Sequence, residues 1–407
     1  MPPVRFSSRL GAENEEPNAL TLATEQRRQS GMDLLDLTLS NPTTCKLGEP
    51  LDENNLFSVK DFSLYSPTAQ GLLETRVAIA SYFTERGNHM DPADLFLTAG
   101  TSQAYSFLFK LLCDPGDSIL TPIPAYPLLQ TLAELEGLEI QAYELTPSLP
   151  HLDGTLWRLN RASLESAITS KTRILCVIQP GNPTGSLLDA SDWNFLYHFA
   201  ALHQLSLLVD EVFSEFLHSK ASILYPRPSE GPLVFTLNGL SKLLGLPQLK
   251  LAWIHVSGDK AWKEKAKVKL EWISDAYLSV SQPMQSVVPS LLQKAAAFQE
   301  PIKNRLSCNL ELMRSPFFQQ GKTIFWPQGG WVIPVLFQIQ SQPENKLDDE
   351  ALAIALVRDE GVLVHPGYYY DFEQENFLVL SLLTEPAILQ EGLQRIHKRL
   401  GIIHDQP

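Results

Sequence analysis

The stretch LVFTLNGLSKLLGLPQLKLAWIHVSG, residues 233–258, sets two apolar runs, LVFTLNG and LAWIHVSG, on either side of a segment with two lysines, Lys242 and Lys250. Runs this continuously apolar read as strands covered on both faces. The same kind of run recurs upstream as DLFLTAG, DSILTPIP, RILCVIQP and LSLLVDE. Between these runs the period changes to that of a helix. In SQAYSFLFKLLCD, residues Ala104, Phe107, Leu108, Leu111 and Leu112 share one face; in SDWNFLYHFAALHQ, residues Trp193, Leu196, Tyr197, Ala200 and Ala201 do so. Strand–helix alternation predicts an α/β fold with a mainly parallel sheet flanked by helices, over residues 56–285. Beyond it, the helical QSVVPSLLQKAAAFQEPIKNRLSCNLELM leads to the strand-like GGWVIPVLF, GVLVHPG and FLVLSLL. This predicts a smaller α+β domain over 286–407, with the N-terminal segment 1–55 packed against it.

The composition is that of a folded protein: 407 residues, 44% hydrophobic and 19% charged. A net charge of −14 argues against nucleic acid or an anionic membrane as partner. The N-terminal MPPVRFSSRLGAENEEPNAL lacks the apolar core of a signal peptide. The chain has no uninterrupted apolar run of about 18 residues, the length a membrane span needs. The four cysteines, Cys45, Cys113, Cys176 and Cys308, have neither metal nor redox spacing and read as free thiols. A cytoplasmic location is the expectation. The motifs G-x-G-x-x-G, P-loop and H-E-x-x-H are missing, which argues against a dehydrogenase, an ATPase or a zinc hydrolase.

In open α/β sheets ligands bind beyond the carboxyl ends of the strands. Four features fall at such ends. After DLFLTAG, Gly100 permits a tight turn, and Thr101 and Ser102 open a helix whose free amides suit a phosphate; plain N-capping is the ordinary alternative. After RILCVI, QPGNPTG forms a rigid turn around Asn182, which is either a turn former or a ligand contact. Asp210 ends LLVD, where a half-buried carboxylate needs a cationic or hydrogen-bonding partner: an arginine, a helix cap or a protonated pyridine. Lys242 follows LVFTLNG and is delivered to the same edge, where a desolvated lysine can form a Schiff base. A phosphate cup, an asparagine, an aspartate and a lysine together describe one cofactor, pyridoxal 5′-phosphate.

With these motifs in this order, from LDLTLSNPT to LVLSLLTEPAILQEGLQRI, the chain resembles the class I/II aminotransferases of the fold-type-I pyridoxal-phosphate enzymes. The resemblance implies that Lys242 bonds covalently to the cofactor and moves the proton, and that Asp210 keeps the pyridine nitrogen protonated. It further implies that Asn182 meets the phenolic oxygen, that Gly100, Thr101, Ser102 and Ser241 hold the phosphate, and that Tyr126 stacks on the ring. Tyr65 matches a tyrosine that reaches the phosphate of a neighbouring subunit, which implies a homodimer with shared active sites. Lys250 stands where the family usually has a phosphate-binding arginine, so both lysines of the opening stretch face one cofactor.

The chain departs from the family at three places. Lys250 gives up the bidentate geometry of arginine. Phe213 replaces a tyrosine that bonds the phenolic oxygen, which leaves Asn182 as the main partner there. Val379 stands where an arginine usually grips the substrate carboxylate; Arg5, Arg9 and backbone amides near Asn41 are possible substitutes. The NPTTCK loop, Gly329–Trp331 and Tyr368–Tyr370 are expected on the substrate side. The expected activity is transfer of an amino group between an amino acid, or a related amine, and a 2-oxo acid, by ping-pong kinetics. A pyridoxal-phosphate lyase (C–S elimination or decarboxylation) and a noncatalytic cofactor-binding protein are the alternatives.

Overall fold

The computed structural model describes residues 7, 9, 17–48, 67–148, 156–218, 221–224, 230–337 and 348–401. Its main sheet comprises β2 (Leu95–Thr98), β3 (Ser118–Ile123), β4 (Glu139–Pro147), β5 (Trp157–Leu159), β6 (Thr172–Ile178), β7 (Ser206–Asp210), β8 (Val234–Gly239) and β9 (Ala252–Ser257), in the order β2-β9-β8-β7-β6-β3-β4-β5. The interior pairs, β4–β3–β6–β7–β8, are parallel. Antiparallel pairs lie toward the edges: β9 against β8 and β2, and β5 against β4.

Alternate residues of each central strand serve opposite faces, and both faces are covered. Ile174, Cys176 and Leu208 pack with Phe107, Leu108 and Leu270 of the helices Thr101–Leu112 and Lys260–Ala276. Leu175, Val177, Leu207 and Val209 pack with Trp193, Leu196 and Phe199 of the helix Ala190–Leu202. This is why those strands read as continuous apolar runs. In that last helix Ala201, expected on the buried face, is exposed and Phe199 is buried in its place.

A second sheet holds β10 (Lys322–Ile324), β11 (Val332–Phe337), β13 (His365–Pro366) and β14 (Phe377–Ser381), antiparallel in the order β10-β11-β14-β13. GVLVHPG, read above as one strand, splits between sheets: β12 (Val362–Leu363) pairs in parallel with β1 (Leu35–Asp36), and β13 pairs with β14. Leu20, Ala23 and Leu37 from the N-terminal part share a core with Ile333, Leu378, Leu389 and Ile396. The long helical stretch is two helices, Gln282–Gln293 and Ala295–Arg314. The first of them, with Phe298 of the second, packs on Ile79, Phe83 and Trp253 at the edge of the main sheet.

Candidate active site

The carboxyl ends of β7 and β8 and the segments that follow β2, β3 and β6 meet the second sheet around a cavity of about 750 Å³. Thr101, Ser102, Tyr126, Asn182, Asp210, Ser241, Lys242 and Lys250 all line it. Gly100 is the residue before the helix Thr101–Leu112. Tyr65 and Arg5 lie outside the described residues.

The helix Thr101–Leu112 has no side-chain cap, so neither Thr101 nor Ser102 spends its hydroxyl on capping. Its first-turn amides therefore keep their hydrogen-bonding capacity and their positive end of the helix dipole. The expected role of Gly100 in the turn needs correction. Its φ of 170° is extended backbone that any residue adopts. A side chain there would meet no heavy atom within 4 Å, so the space over the helix start is open.

Asp210 ends β7 and is buried. Tyr105 donates its hydroxyl hydrogen to Oδ2 (2.7 Å), and the Val212 amide donates to Oδ1 (3.0 Å). Burial raises its pKa, while the Tyr105 bond, the Val212 amide and the charge of Lys242 oppose the rise. Among the described residues neither an arginine nor a helix cap is its partner. Lys242 lies in the short helix Leu240–Leu243 after β8. Its Nζ stands over the rings of Trp331 (4.8 Å) and Phe213 (5.4 Å). Desolvation lowers its pKa to about 8, with Asp210 pulling the other way. An amine so placed gives up its proton around pH 8 rather than above 10, and its neutral form is nucleophilic.

The two segments are held in register. Asn238 Nδ2 donates to the Glu211 carbonyl (2.8 Å) and to Ser214 Oγ (3.2 Å), which ties the turn after Asp210 to the end of β8. A Cβ on Gly239 would stand 2.7 Å from the Ala252 Cβ, so β8 and β9 approach too closely there for any side chain. Tyr126 donates its amide to the Asn182 carbonyl (2.9 Å), and Ala125 donates to that of Tyr370 (2.9 Å). These bonds bring three loops to one rim. Lys250 is exposed and adopts a left-handed backbone (φ 51°) at the cavity wall.

On the substrate side Trp331, Val379 and Tyr370 line the cavity; Tyr368 and Tyr369 do not, and Tyr369 instead accepts a hydrogen bond from Asn18 (2.9 Å). Thr38 and Ser40 line it in place of the NPTTCK loop. Asn41 turns its carbonyl side-chain oxygen to Thr43. Arg9 is bound to the Leu135 carbonyl (3.1 Å) and is not part of the wall. Sequence reasoning missed Tyr105, Asn238 and His365. Tyr105 carried a signal: a tyrosine on an otherwise apolar helix face needs a partner for its hydroxyl.

These groups fit pyridoxal 5′-phosphate. The uncapped helix start and Lys250 suit a phosphate. The buried Asn182 Oδ1 has no partner, and its amide turned either way meets a phenol or a phenolate. Groups of three or more metal-ligating side chains are absent among the described residues. No helix among them is long and apolar enough to cross a membrane.

Comparison with known proteins agrees. The family model Aminotransferase class I and II matches residues 42–396. Tyrosine aminotransferase from Bos taurus is 27% identical over 377 residues, 90% of this chain and 81% of that protein. The S-alkyl-thiohydroximate lyase SUR1 of Arabidopsis thaliana is 25% identical over 342 residues, 82% of this chain and 71% of that one. Among solved structures, the alanine aminotransferase from Pyrococcus furiosus superposes with a TM-score of 0.85 at 20% identity, covering 98% of this chain and 100% of its own. The chain belongs to the class I and II aminotransferases, pyridoxal-phosphate enzymes that move an amino group between an amino acid and a 2-oxo acid.

Proposed function

We propose that Lys242 is the covalent anchor of the cofactor and the proton carrier of the reaction, and that Asp210 is the acid partner of the ring. The observation that carries this is one cavity holding both: a desolvated lysine amine, and a buried carboxylate bonded by Tyr105 and Val212. When bound, pyridoxal 5′-phosphate supplies an aldehyde that condenses with amines and a ring that accepts the electron pair of a breaking Cα bond. Lys242 Nζ, in the neutral form that its lowered pKa makes accessible, takes the substrate Cα proton and returns it one position away. Asp210 favours a proton on the ring nitrogen. The helix start at Gly100–Ser102, with Ser241 and Lys250, holds the phosphate; Asn182 holds the phenolic oxygen and Tyr126 covers the ring. Phe213 and Trp331 keep water from the Lys242 amine.

The protein works as a homodimer in which Tyr65 completes the neighbour's site. Support comes from an apolar surface beside the segment that follows Tyr65: Val268 and Trp272 are 68% and 78% exposed and border Thr68–Gln70. Division into a large domain over 56–285 and a small domain from both ends is supported by the two separate sheets, with the helix Gln282–Gln293 and Phe298 crossing that boundary to pack on the main sheet. Free thiols at all four cysteines agree with a cytoplasmic location.

The test is an absorbance titration of the cofactor-loaded protein with amino acids and amines added singly, then with 2-oxo acids. Transamination predicts loss of the lysine-bound band with particular donors and its return with an acceptor. Lys242→Ala abolishes the band. If the band forms in wild-type protein and no donor converts it, transamination is refuted. A second reading, C–S elimination, is favoured by the lyase relative and by Val379 at the usual arginine position. It predicts ammonia and a 2-oxo acid from one substrate, with no acceptor required.

A further inference from the structure

Val379 lies between two neighbours on one face of the second sheet: Pro334 of β11 on one side and His365 of β13 on the other. Directly opposed residues of antiparallel strands share a face, with Cβ atoms about 5 Å apart. The only polar side chain of that row is therefore the imidazole beside the valine. Val379 and His365 both line the cavity, and among the described residues no arginine does. Among the described residues, the lining groups that carry or can carry positive charge are Lys242, Lys250 and His365. The first two belong to the cofactor side in the reading above.

His365 is not loose. Its Nδ1 is 3.0 Å from the Tyr370 hydroxyl. Tyr370 is fixed by the Ala125 amide on its carbonyl and by its ring against Tyr126 (6.3 Å). Burial raises the Tyr370 pKa, so the phenol keeps a hydrogen to donate. With Nδ1 accepting, the imidazole hydrogen sits on Nε2 and is available to a ligand. Burial lowers the His365 pKa, and Asp36 of β1 opposes this. The other groups facing it are the Tyr369 ring in the same turn (6.0 Å), and Lys242, Lys250 and Asp210 on the other cavity walls; Asp36 itself is bridged by Arg28 (3.9 Å).

We propose that His365, its tautomer set by Tyr370, binds the substrate α-carboxylate in place of the missing arginine. This rests on the aminotransferase reading of the cavity and names its substrate class. The donors are amino acids with apolar or aromatic side chains, since Val212, Phe213, Trp331 and Val332 make a large apolar part of the remaining wall, beside the hydroxyls of Thr38, Ser40 and Ser381. A neutral imidazole donates one hydrogen bond. The arriving carboxylate stabilises the imidazolium, so binding draws a proton from solvent. Carboxylate affinity then falls as pH rises through the pKa of the liganded imidazole, a dependence that a guanidinium does not show.

The experiment uses the cofactor-loaded protein and 3-phenylpropanoate, a carboxylate with no amine to react. Calorimetry in two buffers of different ionisation enthalpy gives affinity and protons exchanged near neutral pH. Wild-type protein is expected to take up part of a proton. His365→Asn keeps a donor and binds without that uptake; any contribution from other groups is common to both proteins. His365→Leu weakens binding by about 10–100-fold, the worth of a hydrogen bond to a charged group. In turnover, His365→Leu raises KM for phenylalanine by a larger factor than KM for phenethylamine, which has no carboxylate. Equal proton uptake in wild-type protein and His365→Asn, or wild-type affinity in His365→Leu, overturns the proposal. Should the variants fail to fold, a wild-type protein that binds the carboxylate with no proton uptake overturns it alone. If no donor converts the cofactor while the calorimetric result stands, the aminotransferase reading fails and the carboxylate site survives.

Discussion

Single residues set the chemistry of the cavity, and their environments give it a pH signature. Lys242 is pushed from an ordinary value of 10.5 to about 8 because its amine is desolvated. In the cofactor-free protein the rate of cofactor capture is expected to rise with pH and level off above about 8, followed by absorbance in stopped flow. A rate flat between neutral pH and 10 rejects the assignment. Asp210 responds to Tyr105 in the opposite sense. Burial already raises the carboxyl pKa, and the Tyr105 hydroxyl restrains the rise. Tyr105→Phe removes that restraint, so the acid limb of kcat against pH moves to higher pH, at a cost of about 1–3 kcal/mol in transition-state stabilisation. An unmoved limb means the phenol serves only packing. Most of this site was legible because its residues end apolar runs: Asp210 and Lys242 follow strands, and Asn182 sits between prolines. Asn238 was hidden because it lies within a strand pattern that explains it without function, and the signal at Tyr105, a hydroxyl on an apolar helix face, did not name its partner. His365 was hidden because its meaning lies in its register opposite Val379, and register cannot be read along one strand.

Helices and strands were legible wherever the period was unbroken, and less so where tertiary contacts decided. β7 and β8 stood out because both their faces are buried. The split of GVLVHPG between two sheets was not visible, since two-residue strands have no period. Two elements carry predictions. Gly239 ends β8 where the neighbouring backbone leaves no space for a Cβ, so Gly239→Ala must push the Lys242 segment from β9. It is expected to cost about 1–3 kcal/mol and to lower activity more than stability alone explains, measured by denaturation and kcat together. The second concerns β10 and the helix Pro386–Arg399. Lys322 is buried with its Nζ against His397 Nε2, among Phe318 and Phe337. Desolvation lowers the lysine from 10.5 to about 7. Its folded value lies below its unfolded one, so between these limits the unfolded chain holds more protons and stability rises with pH. Lys322→Met is expected to raise Tm by a few degrees near neutral pH, and the advantage shrinks as pH approaches 10. An advantage that does not change with pH would show that the lysine does not carry the effect.

At the scale of the molecule, the α/β class followed from alternation alone, because parallel strands require helical crossovers on both faces. The antiparallel edges formed by β2, β5 and β9 did not, since strand direction leaves no mark on composition. Subunit association is tested at the same scale. Trp272→Asp is expected to shift the protein from dimer to monomer in sedimentation and to remove activity with it. Mixing inactive Tyr65→Phe and Lys242→Ala chains is expected to restore activity in the hybrids, which then hold one site with both groups intact; no recovery means each chain is self-contained. A last consequence concerns synthesis. Ser381 donates its amide to the Leu37 carbonyl (2.8 Å) and its hydroxyl to that of Leu39, across 342 positions of chain in the second case. Thr38 and Ser40 thus face the cavity beside a strand translated long after them. A nascent chain can display the lysine and aspartate long before the wall opposite them exists. Capture of the cofactor in its finished pocket therefore waits until β14 has left the ribosome.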